Sequence, residues 1–331
     1  MNKIMQKCIA LFSLIVLLAS VALVPMEVEA ASEFYGDYTD VSYIYDYGSC
    51  TGMQGLAVGS QMLYTVKING SDQLAVIKMT DKDTGETTTL YNSDEGSYYF
   101  SYLNHANDMD VWGIDGYSNI FVATTRQDSY GIVRLQRSGS SLTRVASYSL
   151  VCDGEQICAT AMGIMGVSDG MIHFITKWGQ DIYTGSVSTS VSSATIQMKH
   201  LCTISKEKVY IKGEYLDLTS FVNQGMGYHN NTLFVPITGD DNWLERSVIM
   251  VFNLDGVIEG STIYPSEELV FRVTSSYYSA LFEIESCGIS SDGRLYFNQN
   301  RRVTTSDYNH DGVSYFDTYT FSKLTEPAKY H

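Results

Sequence analysis

One pattern recurs five times along this chain. Each copy has a polar start, a short apolar strand, a turn and a second apolar strand. We align the copies on the apolar pair that opens the second strand. The second members of these pairs are Tyr64, Phe121, His173, Phe234 and Tyr296, at intervals of 57, 52, 61 and 62 residues. Self-similarity at such a regular spacing is typical of repeat architectures.

Each copy has the composition of a β-hairpin. The turns SDG at 168–170, SDG at 291–293 and HNN at 229–231 hold residues that tolerate positive φ. The flanking segments alternate or run apolar, as strands do. A repeat of this length holds four short strands, which is the content of one propeller blade. The sequence therefore predicts an all-β fold, a five-bladed β-propeller with four-stranded antiparallel blades. The alternative is a β-sandwich with similar hairpins.

The two ends of the chain are expected to meet. Alternation from Val41 to Tyr47 predicts a strand within the Tyr- and Asp-rich segment 32–48. Because closure of a propeller leaves few free strand edges, we expect this strand to pair with the C-terminal end of the chain.

Residues 1–30 have the composition of a secretory signal peptide. Lys3 and Lys7 form a positive region, residues 9–24 form an apolar core, and residues 28–30 fit the cleavage rule. No other stretch approaches the roughly 20 apolar residues of a membrane span. We expect a secreted, extracellular chain whose residues 31–331 form a single β-propeller domain.

The formal net charge of −16 limits the choice of partners. An acidic chain is repelled by nucleic acid and by anionic membranes, and it is compatible with neutral carbohydrate. The same charge also serves solubility. We expect a monomer whose partner is an extracellular glycan or a bacterial cell surface.

Five cysteines follow the signal segment, and export permits disulfides. Cys152 and Cys158 are close enough in sequence to close a small loop, so we predict a bridge between them. The odd number leaves at least one free thiol, and no pairing is predicted for Cys50, Cys202 and Cys287.

Polar side chains open the strands expected to lie innermost. They are amides, carboxylates and one imidazole: Gln54, His105, Asn107, Asp108, Gln224, Glu283 and Glu285. Around the mouth of a central channel, such a ring could bind a ligand. The alternative is that these groups only hydrogen-bond to neighbouring blades and close the fold.

An enzyme is the second interpretation of this ring. A glycosidase needs two carboxyl groups about 5–9.5 Å apart, and Asp108 and Glu285 are the best pair by position. The equivalent residues Gln54 and Gln224 cannot exchange protons, which favours recognition over catalysis. We therefore expect a binding protein, with a glycoside hydrolase or lyase as the alternative.

Two other motifs bear on chemistry. The segment GVSDG at 166–170 fits the G-x-S-x-G expression, but its serine lies in a hairpin turn rather than in the strand-turn-helix elbow that esterases use. Asp307, Asn309 and Asp311 lie at the alternate positions of a calcium loop, although its twelfth position is Thr318 instead of Glu. A weak Ca²⁺ site is the only cofactor that the sequence suggests.

Several segments together resemble the helveticin J-like family, bacteriocin-related secreted proteins of Gram-positive bacteria. These segments are VGSQMLYTVKINGSDQLAVIK (58–78), NHANDM (104–109) with NIFVAT (119–124), and FEIES (282–286). The resemblance implies a secreted, propeller-shaped bacterial protein that acts on, or binds to, competing cells, and it assigns no residue a role. We thus expect a secreted, bacteriocin-like, glycan-binding propeller.

Overall fold

The structure is a computed structural model that describes residues 38–320, except 126–130, 212–213, 240–246, 268–270, 274, 276 and 308–309. All of these belong to one compact unit, 32–331. The segment 1–30, for which a signal peptide is predicted, lies outside the described residues. Where the chain is described, it forms no helix that could cross a membrane.

The described residues form an all-β fold, as predicted. In chain order, the strands are β1 (Tyr38–Tyr43), β2 (Cys50–Val58), β3 (Met62–Asn69), β4 (Ala75–Asp81), β5 (Thr87–Thr89), β6 (Tyr91–Asn92), β7 (Asp108–Ile114), β8 (Tyr117–Ala123), β9 (Ile132–Ser138), β10 (Ser141–Cys152), β11 (Glu155–Ile157), β12 (Ala161–Ser168), β13 (Met171–Trp178), β14 (Asp181–Ser188), β15 (Ser193–Ile204), β16 (Val209–Ile211), β17 (Glu214–Leu216), β18 (Val222–Asn223), β19 (Gly227–His229), β20 (Thr232–Thr238), β21 (Ser247–Asn253), β22 (Ser261–Ile263), β23 (Phe271–Val273), β24 (Leu281–Ile289), β25 (Arg294–Arg302) and β26 (Gly312–Thr320).

Each of the five sequence repeats forms an antiparallel hairpin. The hairpins are β2–β3, β7–β8, β12–β13, β19–β20 and β24–β25. Further strands extend each hairpin outwards, for example in the order β2-β3-β4-β5. The outer strands β10 and β15 also pair in parallel, which joins two of these units into one larger sheet. The repeated hairpin is therefore the building block that the sequence predicted.

The first strands of successive units pack against one another and enclose a common centre. Strand β2 contacts β7, β7 contacts β12, β12 contacts β19, and β24 contacts both β19 and β2. Apolar side chains fill the spaces between neighbouring units, as with Phe121 and Phe174 between the second and third. Each fully buried phenylalanine contributes about 1.5–3 kcal/mol. Packing between units, rather than within one, therefore holds the arrangement together, as in a β-propeller.

The chain ends meet as the sequence predicted. Strand β1 pairs antiparallel with β26, with Tyr38 opposite Phe316 and Tyr43 opposite Gly312. The strand begins three residues before the predicted start at Val41 and ends before Tyr47. The sheet β1-β26-β25-β24 therefore combines one N-terminal strand with three C-terminal strands.

A buried cation secures this junction. Arg301 on β25 is fully buried, and its Nη1 donates to Asp40 Oδ1 on β1 at 2.6 Å. Its guanidinium also lies against the rings of Tyr43 and Tyr278. A second buried cation, Lys67, contacts the Asp311 carboxylate at 2.8 Å and so links β3 to the start of β26. Both pairs connect the chain ends to the rest of the sheet system.

We expect Asp40→Ala to loosen this junction. Removing the carboxylate leaves the Arg301 charge buried without its acidic partner, which costs about 3 kcal/mol or more. Urea unfolding should show this loss, whereas the exposed control Asp83→Ala should change stability by less than about 0.5 kcal/mol. Equal stability of the two variants would contradict the proposed role of Arg301 and Asp40.

Candidate functional site

The predicted ring residues line one pocket at the centre of the unit. Its volume is about 560 Å³. Six of the seven predicted residues line it: Gln54, His105, Asn107, Gln224, Glu283 and Glu285. Residues that the sequence analysis missed complete the wall: Thr125, Thr160, Gly179, Val222, Asn223 and Asn300. The strand starts therefore converge as predicted, with Asp108 as the exception.

Two glutamates of β24 form the chemical centre of this pocket. Glu283 and Glu285 line it together, and each carboxyl group shifts the pKa of the other. Two ionised carboxylates so placed would repel each other, so their proximity favours a state in which one of them is protonated. Strand β24 has a bulge between Ile284 and Ser286, so Glu285 has no direct partner on β25. Bulges commonly re-aim a side chain beside a functional site.

Burial sets the protonation of this pair. Burial raises the pKa of Glu285 well above its usual range, and the neighbouring Glu283 raises it further. Burial also raises the pKa of Glu283, while hydrogen bonds from Glu285, Asn300 and Gln224 oppose that rise. The pKa of Glu285 is therefore raised further than that of Glu283, so Glu285 is the group that more readily keeps a proton. One neutral acid beside one carboxylate can donate and accept protons at the same place.

Amides from neighbouring elements hold the two glutamates. Gln224 Nε2 donates to Glu283 Oε1 at 2.9 Å. Asn300 on β25 donates to Glu285 Oε1, and its own Oδ1 accepts from the Met53 backbone N–H at 3.0 Å. The pair is thus fixed from the first, fourth and last units of the chain. Sequence reasoning overlooked Asn300, although amides at 298 and 300 within the apolar β25 were an available signal.

Two buried acceptors in the same wall have no hydrogen-bond partner in the protein. They are Gln54 Oε1 and Asn223 Oδ1. A buried acceptor without a donor costs about 1–3 kcal/mol, so these oxygens favour a ligand that carries hydroxyl donors. His105 faces the same pocket, and its Nδ1 lies 3.1 Å from Asp72 Oδ1. Together these groups form a polar surface suited to a polyol.

Asp108 does not line the pocket, which corrects its assignment as a ligand-binding or catalytic residue. Its side chain is fully buried. Oδ2 accepts from the backbone N–H groups of Met162 and Met226, both at 3.0 Å, and Oδ1 accepts from Ser286 Oγ at 2.6 Å. Burial raises its pKa to about 8, and these three donors oppose the rise. Asp108 therefore links four units and cannot meet a substrate.

The backbone around Asp108 leaves no space for larger residues. A Cβ on Gly55 would lie 2.7 Å from the Asp108 carbonyl carbon, and one on Gly225 would lie 2.9 Å from Asp108 Oδ1. Lys177 is also fully buried, and its charge acts on Asp108 from β13. The innermost strands thus approach one another closely around this single carboxylate.

Two of the three predicted calcium ligands have other partners in the structure. The Asp307 carboxylate lies 2.9 Å from His310 Nε2, whereas the buried Asp311 contacts Lys67. The third predicted ligand, Asn309, lies outside the described residues. Across the described ranges, no group of three or more His, Cys, Asp or Glu side chains is placed to hold a metal ion.

The predicted disulfide between Cys152 and Cys158 is not formed, and both thiols are free. The hairpin register explains the difference. Cys152 pairs with Glu155 and Leu150 pairs with Ile157, so Cys158 follows three positions further along. At about 3.3 Å per residue, the two cysteines are roughly 10 Å apart along the strand, which exceeds the reach of a disulfide. Cys50, Cys202 and Cys287 are also free and buried.

Comparisons with known proteins concern the fold only. No protein-family model matches the chain, and no curated protein matches it. A GH43_1 enzyme from Xanthomonas citri superposes with a TM-score of 0.45 at 8% identity, over 85% of this chain and 90% of that one. A GH43 endo-arabinanase from Bacillus licheniformis gives 0.45 at 9% identity, over 86% and 93%. The α-L-arabinofuranosidase PaAbf62A from Podospora anserina gives 0.41 at 7% identity, over 86% and 98%.

These findings correct the functional prediction. The sequence analysis ranked a glycan-binding, bacteriocin-like protein above a glycoside hydrolase, and that ranking is wrong, since glycoside hydrolases recur among the similar structures. Proteins of other kinds are also among them. Likeness at this level assigns no residue and no substrate. The resemblance to helveticin J-like proteins stays a prediction.

Substitution of Asp108 should lower the free energy of unfolding. Asp108→Ala removes the acceptor of three buried donors, at about 1–3 kcal/mol each, so we expect a loss of at least about 3 kcal/mol in urea unfolding. Asp108→Asn can still accept from both backbone N–H groups and can donate to Ser286, so it should remain folded with a smaller loss. An Ala variant as stable as the wild type would contradict this account.

Proposed function

We propose that this chain is a glycoside hydrolase whose acid–base groups are Glu283 and Glu285. The observation that carries the proposal is the pair of carboxyl groups that line the central pocket in different hydrogen-bonding environments, with the pKa of Glu285 raised further than that of Glu283. Glycoside hydrolysis needs one carboxylic acid and one carboxylate, and it needs them to differ in protonation at the same pH. Few other reactions require this combination beside a polar, hydroxyl-accepting wall.

The environment of each glutamate assigns its role. Glu285 is the general acid, because burial and Glu283 keep it protonated. It gives its proton to the glycosidic oxygen as the bond to the sugar breaks. Glu283 stays ionised under the hydrogen bond from Gln224, and it either removes a proton from the attacking water or attacks the sugar carbon itself. In both versions, the net reaction consumes one water and returns a proton to Glu285.

Substrate is expected to bind between the two carboxyl groups. Known glycosidases hold their two carboxyl groups about 5–9.5 Å apart, so that the scissile bond lies between them. The glycosidic oxygen of a sugar in this position would accept a hydrogen bond from Glu285. The bulge at Glu285 leaves that residue outside the regular β24–β25 pairing, so its side chain can turn without breaking the sheet.

The pocket favours a neutral glycan. No Lys or Arg is among the described residues that line it. An acidic sugar would bring its carboxylate against Glu283 without a cation to offset the charge. The lyase alternative is disfavoured as well, because lyases eliminate at uronate sugars, which are acidic. The orphan acceptors Gln54 Oε1 and Asn223 Oδ1 instead suit the hydroxyl donors of a neutral sugar. The signal-like segment 1–30 suits a substrate outside the cell.

We also propose that the propeller has five blades. In support, each of the five repeats supplies an innermost strand, namely β2, β7, β12, β19 and β24. Among the described residues, five apolar clusters also lie between consecutive units, and the last of them joins β25 and β26 to β2 and β3. A crystal structure with five sheets around the channel is the expected result.

Neutralising either glutamate should abolish hydrolysis. We expect Glu285→Gln and Glu283→Gln to lower kcat on a neutral polysaccharide, chosen from a panel of arabinan, xylan, mannan and glucan, by about 10²–10⁴-fold. Reducing-sugar release measures this, and circular dichroism checks the fold. The matched control, Glu86→Gln at an exposed site, should keep full activity. Unchanged hydrolysis in both pocket variants would refute the proposal.

The pH dependence should be bell-shaped. Activity needs Glu285 protonated, so the rate falls as pH rises through its raised pKa. It also needs Glu283 ionised, so the rate falls as pH drops and that group is protonated. The two limits belong to the pair as a whole. The profile is obtained by measuring kcat/KM from pH 3 to pH 10. A value of kcat/KM that keeps rising above neutral pH would contradict the assignment of Glu285 as the acid.

A further inference from the structure

A second concave surface lies between the third and fourth units and shares no described lining residue with the central pocket. Its volume is about 1110 Å³. Strands β12, β13 and β14 form one wall, and the turn after β21 contributes another. The wall includes Ser168, the serine of the GVSDG motif, whose hairpin context argued against an esterase elbow.

The structure places a histidine against that serine. Ser168 Oγ lies 3.1 Å from His173 Nε2, and His173 Nδ1 lies 2.8 Å from Ser186 Oγ. The strands explain this alignment. His173 and Ser186 are directly opposite on β13 and β14, and the bulge between Ile164 and Gly166 shifts the register of β12 beside them. The three side chains thus form a continuous hydrogen-bonded row, Ser168–His173–Ser186.

This row has the arrangement of an activated nucleophile. A serine needs a base within about 2.6–3.2 Å, and that base must be oriented by a third group. When Nδ1 donates to Ser186, the lone pair of Nε2 faces the Ser168 hydroxyl. We propose that Ser168 is the nucleophile of a second active site that hydrolyses carboxylic esters, with His173 as the general base and Ser186 as a positioning residue.

The reaction proceeds in two balanced steps. Ser168 Oγ attacks the ester carbonyl carbon while its proton passes to His173 Nε2. The bond to the alcohol then breaks, and the alcohol leaves with that proton, so an acyl-serine remains. Water attacks the acyl-serine, gives a proton to His173, and releases the carboxylic acid as Ser168 recovers its proton. No metal and no redox partner is needed.

The surroundings indicate the kind of ester. Trp112 and Met165 stand partly exposed on the rim, and Leu201 and Leu254 lie in the wall. These side chains suit a short apolar acyl group. Lys199 also lines the cavity and places a positive charge there for the developing oxyanion.

The absence of a carboxylate behind His173 sets the expected rate. In the Ser-His-Asp triad, replacing the aspartate lowers kcat by about 10⁴-fold. Ser186 can orient the imidazole but brings no negative charge to the imidazolium that forms. We therefore expect slow turnover that is measurable on activated esters, such as p-nitrophenyl butyrate.

Covalent labelling and hydrolysis test the site directly. The full chain should react with a fluorophosphonate probe and should release p-nitrophenol from p-nitrophenyl butyrate above the buffer rate. Ser168→Ala and His173→Ala should each abolish both signals. The matched control Ser190→Ala, an exposed serine bonded to Ser188 instead of to a histidine, should retain both. Circular dichroism checks that each variant is folded.

A third variant distinguishes positioning from packing. Ser186→Ala should lower kcat by about tenfold with KM unchanged, and Ser186→Thr, which restores a hydroxyl, should recover most of it. Absence of labelling and hydrolysis in the wild type would overturn the proposal. Labelling that persists in Ser168→Ala would overturn it as well.

Discussion

The buried Asp108 carboxylate is the contact on which the centre of this protein depends. Backbone N–H groups from Met162 and Met226 and the hydroxyl of Ser286 donate to it, and Gly55 packs against its backbone. These groups come from β12, the segment before β19, β24 and β2, while Asp108 itself opens β7. A single carboxylate thus satisfies polar groups from three other units of the fold. Buried donors need such an acceptor, and apolar packing between the units could not supply one.

The close approach of the innermost strands also shifts the pKa values of the two glutamates in the central pocket. Bringing the strand starts together removes water from Glu283 and Glu285, and burial is the main reason that the pKa of each is raised. Gln224 and Asn300 then hold the two groups in different hydrogen-bonding environments. Burial without these amides would leave two equivalent acids. The packing of the innermost strands therefore closes the fold and also makes the pKa values of the two glutamates differ.

The repeated hairpins could be predicted from sequence because each one is a local pattern. Turn residues such as Asp169 and Gly170 and the alternation around them determine a hairpin without help from the rest of the chain. The repeat also predicted that the polar strand starts lie together, because equivalent residues of the five units occupy equivalent positions around the common centre. The repeat could not predict the direction in which each of these side chains points. Asp108 and Glu285 look alike in sequence, yet one faces inward to backbone donors and the other, displaced by a bulge, faces the pocket.

The errors have the same physical basis. The short spacing of Cys152 and Cys158 suggested a disulfide, but the hairpin register separates them along the strand. The alternate aspartates at 307 and 311 predict a cation site, which stays a prediction, and only the structure shows that Lys67, distant in sequence, contacts the second of them. His173 and Ser168 were each visible in the sequence. Only the pairing of β12 with β13 shows that they touch.

The central claim is that Glu285 delivers the proton to the leaving group. Its most direct test compares Glu285→Gln on two aryl glycosides of one neutral sugar that differ in leaving-group acidity. The quantity compared is kcat/KM, which reports departure of the leaving group whether or not a glycosyl-enzyme forms. A 2,4-dinitrophenolate departs without a proton, so kcat/KM for its release should be close to that of the wild type. A poorly acidic phenol or a sugar leaving group needs the proton, and its release should slow by about 10²–10⁴-fold. Equal losses on both substrates would contradict the assignment of Glu285 as the general acid.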